Sequence, residues 1–111
     1  MEHLLPPGAT GALPHIHNGH AEHFHVIDGQ ITFDHVTGAE AAGAGGTVSV
    51  PAGAVHGFRN LSAEPARCLV VLSPAGYENY FRDVHRALLS GEELTPRRLS
   101  ELRAAYGTFT V

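Results

Sequence analysis

Pro14-His15-Ile16-His17-Asn18-Gly19-His20-Ala21-Glu22-His23-Phe24-His25-Val26 reads as two β-strands around a tight turn. Residues two apart on a strand share a face, so His15 and His17 point one way and Ile16 the other. Asn18-Gly19 is a tight-turn signal. Taken as the two-residue loop of a hairpin, it sets His17 opposite His20 and His15 opposite Glu22. Directly opposed residues have Cβ atoms about 4.5–5.5 Å apart, close enough for His15, His17 and Glu22 to share one ion. A wider loop still allows that convergence. His20 falls on the same face and competes for a ligand position. Phe24 and Val26 share the parity of Glu22 and are expected to line the interior beside the ion, as part of a substrate pocket. His23 and His25 have the opposite parity and are expected to point outward.

A further donor is remote in sequence. Pro51-Ala52-Gly53-Ala54-Val55-His56 is a Pro-x-Gly turn running into a strand that His56 opens. Phe58 and Asn60 share its face, Phe58 as a pocket wall and Asn60 as a hydrogen-bond donor behind the ligands. Three imidazoles and one carboxylate suit a first-row divalent metal. Glu22 facing an apolar interior needs such a partner, because an uncompensated buried charge is costly.

Short apolar runs broken by Gly, Pro, Asn and Asp clusters continue along the chain, the pattern of an all-β sandwich or barrel. Strands are expected at about 13–17, 21–27, 30–36, 47–50, 55–60 and 67–73. Asp28-Gly29 is a second tight turn, and the Gly- and Ala-rich stretch from Gly38 to Gly46 reads as a loop. After Pro74 the period changes. Tyr77, Phe81, Val84 and Leu88 fall at helical spacing, with Gly91 as a stop. Thr95-Pro96 caps and opens a second helix carrying Leu99, Leu102 and Tyr106. Thr108 to Val111 is expected to form a closing strand. The chain is thus expected to be one domain, 1–111, with a β-barrel over about 1–73 and a tail of two short helices over about 74–111. Tyr77, Tyr80 and Phe81 are expected to fix the first helix to the barrel, with a lid over the pocket as the alternative.

The 111 residues suffice for one core, and a hydrophobic content of 43% makes its burial feasible. Net charge is −4 with the histidines neutral, and all seven basic residues are arginines. No clustered positive surface suited to nucleic acid is expected. The one cysteine, Cys68, lies in an apolar run and is expected to be a buried thiol rather than half of a disulfide. No segment has the form of a signal peptide or of a membrane span, so a cytoplasmic protein without a membrane partner is expected. Of the nine histidines, His3, His35 and His85 are read as surface residues.

Gly11, His15, His17, Glu22 and Gly29 resemble the first motif of the cupin family: glycine, His-x-His, Glu after four intervening residues, Gly after six more. Gly45, Pro51, Gly53, His56 and Asn60 resemble the second, Pro-x-Gly-x-x-His-x-x-x-Asn. The resemblance implies a small antiparallel β-barrel of jelly-roll type with His15, His17, Glu22 and His56 as metal ligands. Ser73-Pro74-Ala75-Gly76-Tyr77-Glu78-Asn79-Tyr80-Phe81 and Ala105-Tyr106-Gly107 resemble the tail of small, quercetin-dioxygenase-like single-domain cupins. Fourteen residues precede His15, fewer than family members usually carry. That departure implies a smaller, more open barrel, an edge covered by a partner subunit, or a start further upstream; a homodimer is the expected remedy for an exposed edge.

Four ligands leave one or two positions open on the ion. With iron and a chelating enol or catechol-like substrate, such a site can bring substrate and O₂ together. The expected activity is a dioxygenase acting on a small aromatic, flavonol-like or polyketide-like molecule, with Glu22 as the catalytic group that takes a substrate proton. Manganese, nickel, cobalt, copper and zinc suit the same donors. The alternatives are a metal-assisted isomerase, cyclase or lyase, or a non-catalytic module that binds a small molecule.

Overall fold

A computed structural model describes residues 1–110 of the chain; Val111 of the expected closing strand lies outside the described residues. Eight strands come first: β1 (Glu2–Leu5), β2 (Thr10–His17), β3 (Ala21–Asp28), β4 (Gln30–His35), β5 (Gly38–Gly43), β6 (Thr47–Val50), β7 (His56–Arg59) and β8 (Ala66–Ser73). Helices α1 (Glu78–Leu89) and α2 (Pro96–Ala104) follow, and then β9 (Thr108–Thr110). The strands form two antiparallel sheets, of order β1-β8-β3-β6 and β5-β4-β7-β2-β9. This is the all-β jelly-roll barrel with a two-helix tail expected from the sequence. The tail also returns a strand to the barrel, where His15, Ile16 and His17 pair with Thr110, Phe109 and Thr108.

Period-2 patterning builds the interior. Along β3, Glu22, Phe24 and Val26 are buried while His23 and His25 are exposed. Along β8, Ala66, Cys68 and Val70 are buried while Leu69 and Val71 are exposed. Those inward rows meet Ile31 and Phe33 of β4 and Phe58 of β7 in one core, held by area removed from water and by close packing. Cys68 is a free, buried thiol.

The structure corrects the expected hairpin. β2 does not pair with β3: its neighbours are β7 and β9, whereas β3 lies between β8 and β6. Asn18-Gly19-His20 is a crossing between the two sheets. Its backbone is satisfied elsewhere: the Asn18 N–H donates to the Gly107 carbonyl at 2.8 Å, and the Gly53 N–H donates to the His17 carbonyl at 2.8 Å. His15 and Glu22 therefore approach across the barrel interior, not along a ladder. The Gly38–Gly46 stretch is also corrected. Gly38–Gly43 is an edge strand in continuous register with β4, from Gln30 opposite Gly43 to His35 opposite Gly38. Gly and Ala have weak strand preference, and here the main-chain ladder supplies the pairing that side chains do not. The residues ahead of His15 form β1, which was not anticipated, and the first part of β2.

The helices follow their sequence signals. The Thr95 hydroxyl accepts the Arg98 N–H at 3.1 Å, with Pro96 in the first turn. Gly91, just past α1, has φ +81°, which glycine alone adopts at little cost. The Tyr106 hydroxyl donates to Asp83, tying the end of α2 to α1. No helix among the described residues is long and apolar enough to cross a membrane.

Candidate metal centre and its cavity

Four side chains from three strands meet inside the barrel. His15 and His17 come from β2, Glu22 from β3 and His56 from the first position of β7. One donor atom from each lies within 4.8 Å of all the others. His15 Nε2 is 2.8 Å from His17 Nε2, His17 Nε2 is 2.9 Å from Glu22 Oε1, and His56 Nε2 is 3.0 Å from Glu22 Oε2. Only His15 is partly exposed; the other three are buried.

The far nitrogen of every ring is also held. His15 Nδ1 lies 2.7 Å from the Leu13 carbonyl, His17 Nδ1 2.6 Å from the Thr108 hydroxyl and His56 Nδ1 3.1 Å from the Ala54 carbonyl. A carbonyl can only accept, so His15 and His56 carry their protons on Nδ1. Their Nε2 lone pairs then point at the cluster. Outward donation that fixes the tautomer is the usual support of a metal-bound imidazole. The Thr108 hydroxyl in turn donates to the Tyr77 hydroxyl at 3.2 Å, which leaves it free to accept from His17.

This donor set fits a divalent cation. Ligand atoms about 2.0–2.1 Å from a metal, with bonds near right angles, lie about 2.9 Å apart, close to the separations found here. Lone pairs and a carboxylate facing one another need positive charge among them. In its absence the protein supplies protons. Burial works against the Glu22 carboxylate, but hydrogen bonds from His17 and His56 hold it well below the ordinary carboxylate range. Burial also works against charging His56, and its bond to Glu22 overcomes that and raises it. His15 is lowered, chiefly by burial.

Above the cluster opens a cavity of about 470 Å³, the size of a small-molecule site. Glu22, His15 and His17 form its polar end, while Phe24, Phe58 and Leu72 are among its apolar walls. Phe24 is the floor: its ring packs on Phe33 at 5.0 Å, Phe58 at 5.2 Å and His56 at 6.3 Å. Tyr77 and Phe81 of the tail also line the cavity, so they close its mouth as well as fix the helix.

Three residues expected in the pocket do not line it. Val26 is fully buried one step below Phe24, opposite Cys68, because the aromatic floor seals the core from the cavity. Asn60 is fully buried too, but it serves a turn. Its amide nitrogen reaches the carbonyls of Leu5 at 3.0 Å and Glu64 at 2.7 Å, and its Oδ1 accepts from the Ser62 N–H at 2.9 Å. It sits just past β7, where the chain turns away from the site. His20 is buried beside the cluster, 3.4 Å from Glu22 Oε1 and packed against the rings of His17 and Tyr77. Burial lowers its pKa. Thr108 and the Leu13 and Ala54 carbonyls were missed, as the sequence gives no sign of which acceptor will stand behind a ring.

The jelly-roll barrel and a histidine–glutamate cluster that could hold a metal ion suit a cupin, and comparisons with known proteins bear on the family. The Cupin domain family model matches residues 1–72. The chain belongs to the cupin family. Among solved structures, it is similar to a sugar phosphate isomerase of the cupin superfamily from Silicibacter pomeroyi, with 30% identity over 67% of this chain and 48% of that one, and a TM-score of 0.63. It thus spans about half of that protein. A Thermus thermophilus protein shares 33% identity over 66% of this chain and 69% of that chain, with a TM-score of 0.62. The polyketide cyclase RemF from Streptomyces resistomycificus shares 26% over 64% of this chain and 50% of that chain, with a TM-score of 0.58. No curated protein matches the chain.

Proposed function

We propose that this cupin is a metal-dependent enzyme whose cluster of His15, His17, Glu22 and His56 holds one divalent transition metal, iron first among the candidates. The observation that carries this reading is the meeting of three Nε2 atoms and a carboxylate at the end of a cavity large enough for a small molecule. Held by these four residues, a divalent ion would supply Lewis-acid stabilisation to the oxygens of a chelating substrate. The substrate is a small aromatic, flavonol-like or polyketide-like molecule, since the cavity walls beyond the cluster are aromatic and aliphatic. Phe24, Phe58 and Leu72 exclude water from its ring, and Tyr77 covers it from the tail side. Glu22 takes up the proton of the substrate hydroxyl. The reaction class is dioxygenation, with O₂ as the second substrate.

A second reading, a redox-neutral isomerase or cyclase on the same site, is favoured by the likeness to the Silicibacter isomerase and the Streptomyces cyclase. Elemental analysis of protein purified without added metal tests the shared part: a stoichiometric first-row metal is expected, and metal-free protein that cannot be loaded overturns both readings. Oxygen consumption with a flavonol or a hydroquinone precursor then separates them. In Glu22→Gln some metal is retained and turnover is lost; an unchanged rate removes Glu22 as the base.

The protein is proposed to act in the cytoplasm as a homodimer. Leu4, Leu69 and Val71 lie exposed on the outer face of the four-stranded sheet and support pairing there.

A further inference from the structure

The chain has no lysine, and most of its arginines are spent on ion pairs. Arg59, Arg67, Arg86, Arg97 and Arg98 each meet a carboxylate at 3.5 Å or less. Arg82 donates to Asn79 on the exposed face of α1. Arg103 differs from all of these, because it lines the cavity. Its Nε donates to the hydroxyl of buried Tyr80 at 3.3 Å, and the Tyr80 ring stacks on Tyr77 at 5.4 Å. That contact anchors the guanidinium through Nε and leaves its two Nη groups without a carboxylate among the described residues. The anionic side chain that lines the cavity is Glu22, and His17 and His56 already hold both of its oxygens. The other basic groups on the wall are engaged: the N-terminal ammonium of Met1 donates to the Val70 carbonyl, His15 and His17 belong to the cluster, and His3, lowered by burial, packs edge-on against Phe58. The cavity lining therefore combines a metal-type cluster, apolar walls and a solvent-exposed guanidinium that meets no carboxylate among the described residues.

We infer that Arg103 anchors a carboxylate of the substrate, so that the substrate is an organic acid that also carries a chelating pair of oxygens. This deepens the proposed function and rests on it for the chelating end. The planar guanidinium fork matches the two oxygens of a carboxylate, and charge-assisted pairs of this kind are the strong ones. The tail thereby selects the substrate: the barrel holds the reacting oxygens, and α2 reads the charge.

The test is a binding titration followed by protein NMR shifts, with 3,4-dihydroxybenzoate and its neutral amide, 3,4-dihydroxybenzamide, as probes. The diol is the same in both, so only the carboxylate differs. The metal-loaded wild-type protein is expected to bind the acid at least ~10-fold more tightly than the amide, on the order of one charge-assisted pair. In Arg103→Gln that ratio falls to near one while amide affinity and metal content stay as in the wild type, and Arg103→Lys restores part of it. Equal affinity of the wild type for acid and amide, a preference that survives in Arg103→Gln, or no binding of either probe overturns the inference. Repeating the titration on chelator-stripped protein separates the two readings. There the acid-to-amide ratio is expected to persist with both affinities reduced. Affinities that do not change on stripping count against the metal, whereas a lost ratio counts against Arg103.

Discussion

His17 and Thr108, 91 residues apart in the chain, meet at 2.6 Å, imidazole Nδ1 to hydroxyl oxygen. The last described strand of the protein thus orients a ring on the second. β9 pairs with β2 so that Thr108 lies opposite His17, and the Tyr77 hydroxyl takes the Thr108 proton. The helical tail is therefore part of the site, since it carries the strand that fixes a donor.

Thr108→Val keeps the shape of the side chain and removes the acceptor. Metal affinity is expected to fall about 10–100-fold, the usual cost of losing such a partner, with the fold retained. A competition titration against a chelator of known strength measures it. Unchanged affinity would mean that the ring is oriented by packing against His20 and Tyr77 alone.

Acid is expected to destabilise the metal-free protein in two stages. His3, His15 and His20 have folded pKa values below the ordinary 6.5, chiefly through burial. Their contribution is present above pH 6.5 and is lost as pH falls through the folded values. His56 is raised and opposes this. Glu22 is lowered from 4.5, so its contribution is present above pH 4.5 and is lost below that. The melting temperature in chelator should therefore drop from pH 8 to pH 5 and drop further below pH 4.5. A melting temperature that rises on acidification contradicts the assignment. Metal occupancy should fall over the same range, because protons compete for the imidazoles.

Asn60→Ala separates the turn from the site. The substitution leaves the buried Leu5 carbonyl without its amide donor and the half-buried Ser62 N–H without its acceptor, while the Glu64 carbonyl keeps the Ser62 hydroxyl. A loss of about 2–4 kcal/mol is expected from two such orphaned groups. Metal affinity should not change, since Asn60 touches none of the four donors. Denaturant unfolding and the chelator titration check the two halves, and weakened metal binding in a folded Asn60→Ala protein would return the residue to the site.

Gly11→Ala tests the close approach of β2 to the cavity wall. A Cβ at Gly11 would lie 2.1 Å from Cε2 of Phe58, a ring buried against Phe24 and Phe33. The ring must shift toward the cavity, at a cost of about 1–3 kcal/mol. Both a lower unfolding midpoint and weaker binding of an aromatic probe are expected. A neutral result in both would show that the wall is looser than its packing.

Local pattern carried much of this molecule. Alternation along 21–27 determined that Glu22, Phe24 and Val26 point inward and that His23 and His25 point out, because strand geometry allows only two faces. The period change after Pro74, Gly91 and the Thr95-Pro96 cap determined two helices, as each is a local backbone preference. The two histidine motifs named the four donors. Pairing was not legible. Asn18-Gly19 looks the same whether the chain turns back on itself or crosses to a second sheet, and the choice depends on β7 and β9 claiming both edges of β2. Gly38–Gly43 has no side-chain signal for a strand, and only the partner ladder of β4 makes it one. Depth was not legible either: Phe24 and Val26 share one face, but the ring of Phe58 decides that the first meets the cavity and the second the core. Residue types and short spacings were thus determined by the sequence alone. Which distant groups stand behind His17, and which guanidinium looks into the cavity, were decided by tertiary structure, because such contacts join elements whose mutual position no local interaction sets.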